Sequence, residues 1–232
     1  MIITEHLHKR FGSQQVLRDV HITCRPGACI ALIGPNGSGK TTLIKSILQM
    51  VIPDRGKIIF QGDDITGQCE YRAKIGFMPQ MTRYPENMTI GEVISMMMDI
   101  RKDQKNRDEE LLEQYQLKDI YHKRMGTLSG GMRQKVGACL AFLFQPDVFI
   151  LDEPTAGLDP LSTEILKQKI IKEKSKGKTT IITSHVLSEL DEMISEVIYM
   201  HEGQVLFQKS MEDLKLATQE VKLSKMIAKM IA

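Results

Sequence analysis

Gly34-Pro35-Asn36-Gly37-Ser38-Gly39-Lys40-Thr41-Thr42 has the spacing G-x-x-x-x-G-K-T, which suits holding a chain of phosphates. Glycines let successive backbone N–H groups turn toward an anion, and a helix starting at the end of the loop adds its positive pole. In that setting Lys40 reaches the β- and γ-phosphates and the Thr41 hydroxyl offers a ligand to Mg²⁺. The plain alternative is a glycine-rich turn without a ligand. A second stretch, Val148-Phe149-Ile150-Leu151-Asp152-Glu153, is four apolar residues followed by two carboxylates. A buried strand would deliver both acids at its C-terminal edge, where open α/β sheets bind ligands. Successive strand residues point opposite ways, so Asp152 suits a Mg²⁺ shell and Glu153 a general base for an attacking water. Two ordinary surface acids are the alternative. Thr183-Ser184-His185 follows another apolar run and could set an imidazole beside a γ-phosphate or serve a structural role.

These residues need elements to hold them. Ala28 to Ile33 reads as a buried strand ahead of the glycine loop, and Thr42 to Leu48 is apolar at helical spacing behind it. Residues 2–33 read as strands with turns at Gly12-Ser13 and Pro26-Gly27, and Lys57 to Phe60 and Lys74 to Met78 as two further strands. From Thr89 to about Gln145 the texture turns helical, with Thr89 and Glu92 spaced as a capping box. Arg101 to Arg107 reads as a charged connector, and Ser129-Gly130-Gly131 opens a helix running through Phe144. The α/β pattern then returns: strand 147–151, an amphipathic helix over Leu161 to Lys176 stopped by Gly177, strand 179–183, a helix over Ser188 to Ile194, and a hairpin around Gly203. The expected organisation is one domain: an α/β core over 1–88 and 146–217, a helical subdomain over 89–145, and a tail over 218–232. That tail carries apolar residues at helical spacing with lysines between them. It reads as a helix packed on the protein, with a basic amphipathic helix for a membrane or partner as the alternative.

Composition narrows the classes. The 232 residues carry a net charge of +2 and no Trp, so neither a strong basic field nor a base-stacking platform points to nucleic acid. The four cysteines are scattered without a C-x-x-C pair, which favours reduced, mostly buried thiols over a metal site. No leader peptide is expected at the N-terminus, and no apolar run is long enough to span a bilayer. Met96-Met97-Met98 would spread over different faces of a helix, which reads as packing rather than a metal box.

Leu128-Ser129-Gly130-Gly131-Met132-Arg133-Gln134-Lys135, taken with the glycine loop and Leu151-Asp152-Glu153-Pro154, resembles the ATP-binding subunit of ABC transporters over nearly the whole chain. The resemblance implies a P-loop NTPase fold of α/β class, with a RecA-like core, an N-terminal antiparallel β region and an inserted helical subdomain. It implies ATP and Mg²⁺ as ligands and ATP hydrolysis coupled to transport. It further implies that Phe11 stacks on adenine and that Gly34, Pro35, Asn36, Gly37, Ser38, Gly39, Lys40, Thr41 and Thr42 form Walker A. Thr41, Gln80 and Asp152 would hold Mg²⁺, while Glu153, His185 and Gln80 serve hydrolysis. Ser129, Gly130 and Gly131 would cap the ATP of an opposite subunit, and Asp159 belongs to the D-loop run Ala156-Gly157-Leu158-Asp159. The implied partners are a second, identical nucleotide-binding subunit and a polytopic permease, with no nucleic acid, on the cytoplasmic face of the inner membrane. Two positions depart from the usual pattern: Phe11 stands for Tyr and Met132 for Gln. Residues 131–136 and 141–144 are similar to the ATPase of the copper-processing system that matures nitrous oxide reductase. A soluble ATPase of iron–sulfur cluster assembly is the alternative within the same fold.

Overall fold

The structure, a computed structural model, describes residues 1–102 and 106–231. The chain opens with strands β1 (Ile2–Phe11), β2 (Gln14–Cys24) and β3 (Cys29–Ile33), then helix α1 (Lys40–Ile47). Strands β4 (Arg55–Phe60), β5 (Asp63–Asp64) and β6 (Ile75–Met78) follow, then helices α2 (Ile90–Ile100), α3 (Glu110–Gln114) and α4 (Gly130–Phe142). Strand β7 (Val148–Asp152), helix α5 (Pro160–Ser175), strands β8 (Thr179–Thr183), β9 (Glu196–His201) and β10 (Gln204–Ser210), and helices α6 (Met211–Thr218) and α7 (Leu223–Ile231) complete it. Of the expected charged connector, residues 103–105 lie outside the described residues.

Two sheets carry the fold. The smaller, in the order β2-β1-β4-β5, is antiparallel throughout. The larger runs β10-β9-β3-β8-β7-β6, parallel from β9 to β6 with β10 antiparallel at its edge. All five residues of β3 are buried, as a parallel strand covered on both faces requires. Its side chains alternate between two cores. Cys29, Ala31 and Ile33 join the cluster that also holds Met78, Ile90, Val93, Leu111, Phe142 and Phe149. Ile30 and Leu32 join the one that holds Leu17, Leu43, Ile47 and Phe60.

Local chemistry sets the helix ends. Thr89 Oγ1 accepts from the Glu92 amide at 3.2 Å and Glu92 Oε2 from the Thr89 amide at 2.7 Å, closing the expected capping box. Ser129 caps α4 by accepting from the Met132 amide, and Asp159 caps α5 ahead of Pro160 at its first turn. Beyond α5, Gly177 takes a φ of 80°, the left-handed step that ends a helix.

The helix expected over Ser188 to Ile194 is absent. A single 3-10 turn spans Leu187–Glu189, and tight turns follow. Leu190, Met193 and Ile194 are buried at helical spacing, yet their amides bond back over three or four residues in separate turns, and Asp191 spends its carboxylate on the Leu223 amide. Helix α6, which periodicity passed over, is announced by Ser210, whose Oγ accepts from the Asp213 amide at 3.0 Å. The tail folds back onto the protein: Leu223, Met226 and Ile227 of α7 are buried, and Lys229 pairs with Glu220.

Candidate nucleotide-binding site

Four neighbouring parallel strands, β3, β8, β7 and β6, end on one edge of the large sheet. Their C-terminal ends lead respectively into the glycine loop, Ser184-His185, Asp152-Glu153 and Pro79-Gln80. A cavity of about 250 Å³ opens there, lined by Asn36 to Thr42, Gln80, Asp152, Glu153 and His185, with Gln14 and Val16 from the small sheet. The sheet thus brings side by side residues as far apart in sequence as Asn36 and His185.

The loop has the build of an anion cradle. Gly37 and Gly39 adopt φ of 78° and 102°, and a Cβ on Gly39 would come within 2.9 Å of the Val16 carbonyl. The first amides of α1 have no helical carbonyl to bond. The Ser38 hydroxyl is buried with no hydrogen-bond partner among the described residues. Lys40 Nζ donates to the Gly34 and Pro35 carbonyls at 2.8 and 3.0 Å. Burial pulls its ammonium below the ordinary lysine value, against the upward pull of Asp152 and Glu153. A phosphate in the cradle would supply the counter-charge that this lysine lacks.

Asp152 is buried at the end of β7, and its Oδ1 accepts from the Thr183 hydroxyl. Glu153 has a φ of 52°, and its amide donates to Thr183 Oγ1 at 2.9 Å. His185 Nε2 lies 2.7 Å from Glu153 Oε1, within hydrogen-bond distance of this carboxylate. Thr41, Gln80 and Asp152 present hard oxygen donors to the same cavity, a set that fits Mg²⁺.

Other named residues stand apart. Phe11, at the tip of the β1–β2 hairpin, is half exposed and lies beneath Lys9 Nζ at 5.3 Å; its neighbours Gln14 and Val16 line the cavity. Gly130 and Gly131 line a second cavity of about 380 Å³ together with Gln80 and Gly157, while the Ser129 hydroxyl is engaged as the α4 cap. Asp159 pairs with Lys135 at 2.9 Å and accepts from Ser162, bonds that hold its carboxyl well below the usual range. Residue reasoning passed over Thr183 and Gln134. The first had a signal, standing at the end of a strand two residues before His185; the second lies within the signature run.

Comparison with known proteins agrees with this geometry. The family model described as ABC transporter matches residues 17–156. The chain is 32% identical over 227 residues to the ABC transporter ATP-binding protein NatA of Bacillus subtilis, covering 92% of this chain and 91% of that one. It is 31% identical over 214 residues to the lipopolysaccharide export system ATP-binding protein LptB of Haemophilus influenzae, covering 89% of each. A solved structure of an ATP-binding subunit of an ABC transporter superposes with a TM-score of 0.91 at 27% identity over the whole of both chains. The chain belongs to the ABC transporter family, as an ATP-binding subunit and an ATPase.

Proposed function

We propose that the chain hydrolyses ATP to drive a separate membrane-spanning subunit, working as two head-to-tail copies on the cytoplasmic face of the inner membrane. The observation that carries this is the single cavity joining the glycine loop to Gln80, Asp152, Glu153 and His185, with the signature glycines on a second cavity of the same chain. In this reading the loop amides and Lys40 bind the phosphates, and Thr41, Asp152 and Gln80 hold Mg²⁺, which when bound neutralises charge on the β- and γ-phosphates. Glu153 takes the proton of the attacking water as the water oxygen bonds to the γ-phosphorus and the bond to the bridging oxygen breaks. His185 steadies that carboxylate. Gly130 and Gly131, at a helix N-terminus, cap the ATP of the opposing copy, so each copy is completed by the other, and Phe11 stacks on adenine. Closure excludes water and the charge formed by hydrolysis reopens the pair. The helices between 89 and 145 act as the arm that passes this movement to the membrane subunit.

The finer reading, service to copper-site maturation of nitrous oxide reductase, rests on residues 131–136 and 141–144. Purification from native membranes in mild detergent tests all of this. A co-purifying protein with several spans of about 20 apolar residues is the expected result; a soluble scaffold instead moves the function to iron–sulfur cluster assembly. A copper-site maturation protein in the same preparation supports the finer reading.

A further inference from the structure

One face of α4 is fitted to three loops of the site. A Cβ on Gly131 would come within 2.5 Å of the Gly157 carbonyl, and one on Gly137 within 2.6 Å of Thr82 Oγ1. Midway between them on the same face, Gln134 is 5% exposed. Its Nε2 donates to the Glu153 carbonyl at 3.1 Å and to the Pro154 carbonyl at 3.4 Å. Both carbonyls only accept, so the amide nitrogen must face them. That leaves Oε1 to accept from the Thr82 hydroxyl at 3.5 Å. Glu153 is therefore gripped on both sides of its Cα, through its N–H by Thr183 and through its C=O by Gln134. Its φ of 52° is a backbone state that a non-glycine residue keeps only when its surroundings impose it. Thr82, two residues beyond Gln80, touches the far end of the same amide.

We propose that Gln134 is a positioning residue for hydrolysis, which fixes the backbone of Glu153 so that its carboxylate is aimed at the water, and which ties that aim to the position of the loop carrying Gln80 through Thr82. The proposal rests on Glu153 acting as the general base. A loop that carries Thr82 away from α4 would loosen the amide that holds the Glu153 carbonyl, so the base would be set only while the loop is seated.

Gln134→Met keeps the side-chain length and removes its donors and acceptor, and Thr82→Val removes only the hydroxyl. Steady-state ATPase assays on the full chain, with nucleotide binding and thermal unfolding measured in parallel, test the proposal. Gln134→Met should lower kcat about ten- to a hundredfold while KM stays within about twofold, the signature of lost positioning. Thr82→Val should lower kcat in the same direction. The double variant should be no slower than Gln134→Met alone, because both break one linkage. A folded Gln134→Met protein with the turnover of the unmodified chain overturns the proposal, as do effects of the two substitutions that multiply. If Gln134→Met does not fold, Thr82→Val decides alone, and unchanged kcat overturns the link to the loop. Failure of the underlying reading looks different: Glu153→Gln would then keep its turnover, whereas failure of this inference leaves Glu153→Gln inactive and Gln134→Met active.

Discussion

Glu153 leaves β7 in the left-handed region, with a backbone amide on Thr183 and a carboxylate oxygen 2.7 Å from the His185 imidazole. Its neighbour Asp152 stays in the strand and is buried against the Thr183 hydroxyl. Replacing Glu153 with Gln keeps the shape and removes the base, so ATP should still bind while hydrolysis slows at least about a hundredfold. Single-turnover assays with nucleotide binding read separately check this, and near-normal turnover removes Glu153 from the role. The glycine loop, Asp152, Glu153 and the signature were legible because each is a contiguous run whose chemistry survives without its surroundings. Thr183 and Gln134 were not read as site residues because their meaning lies in contacts to Glu153 made 30 and 19 residues away along the chain.

At the scale of elements, α5 is tied to the segment entering α3 by a buried lysine. The Lys169 side chain is 1% exposed, and its Nζ lies 2.6 Å from Asp108, 2.7 Å from Glu110 and 3.1 Å from Glu173. Burial is the largest single influence on this lysine and acts downward, yet the three carboxylates together raise it above its ordinary 10.5. The hydrogen bonds from Lys169 and then Lys172 hold Glu110 below its ordinary 4.5. The lysine's contribution is therefore full below its ordinary value and lost as pH rises through its raised one. The contribution of Glu110 is full above its ordinary value and lost as pH falls through its lowered one. Lys169→Met should cost about 3 kcal/mol by removing the buried ammonium that Asp108, Glu110 and Glu173 share, even though Glu110 keeps Lys172 and Glu173 keeps Lys176. In urea unfolding, the gap between the variant and the unmodified chain should be widest between those two ordinary values and narrow on either side. The Thr89 capping box was legible because it is a four-residue code. The 188–194 segment misled because apolar spacing alone does not distinguish a helix from a chain of turns whose buried residues fall at the same intervals.

For the molecule as a whole, the position of Gly130 and Gly131 on a cavity separate from the glycine loop is what makes a head-to-tail pair necessary in the proposed cycle. Ser129→Arg adds a bulky cation at that surface. It should leave ATP binding by a single copy intact and abolish the ATP-dependent dimer, as measured by light scattering in the Glu153→Gln background. Dimerisation at the level of Glu153→Gln alone would refute the capping role. The α/β class could be read from strand patterns, whereas the antiparallel pairing of the N-terminal strands was implied only by the family resemblance. The order of the six-stranded sheet could not, because pairing across the chain leaves no local mark. The cysteines add a practical consequence. Burial pushes the Cys24 and Cys29 thiols up to about 12 and raises Cys139 as well, and all three are buried while Cys69 is exposed. Since the thiolate is the reactive form, a maleimide dye added to the unmodified chain would settle at Cys69. Energy transfer between donor- and acceptor-labelled copies could then time each closing and opening of the pair without engineering a single residue.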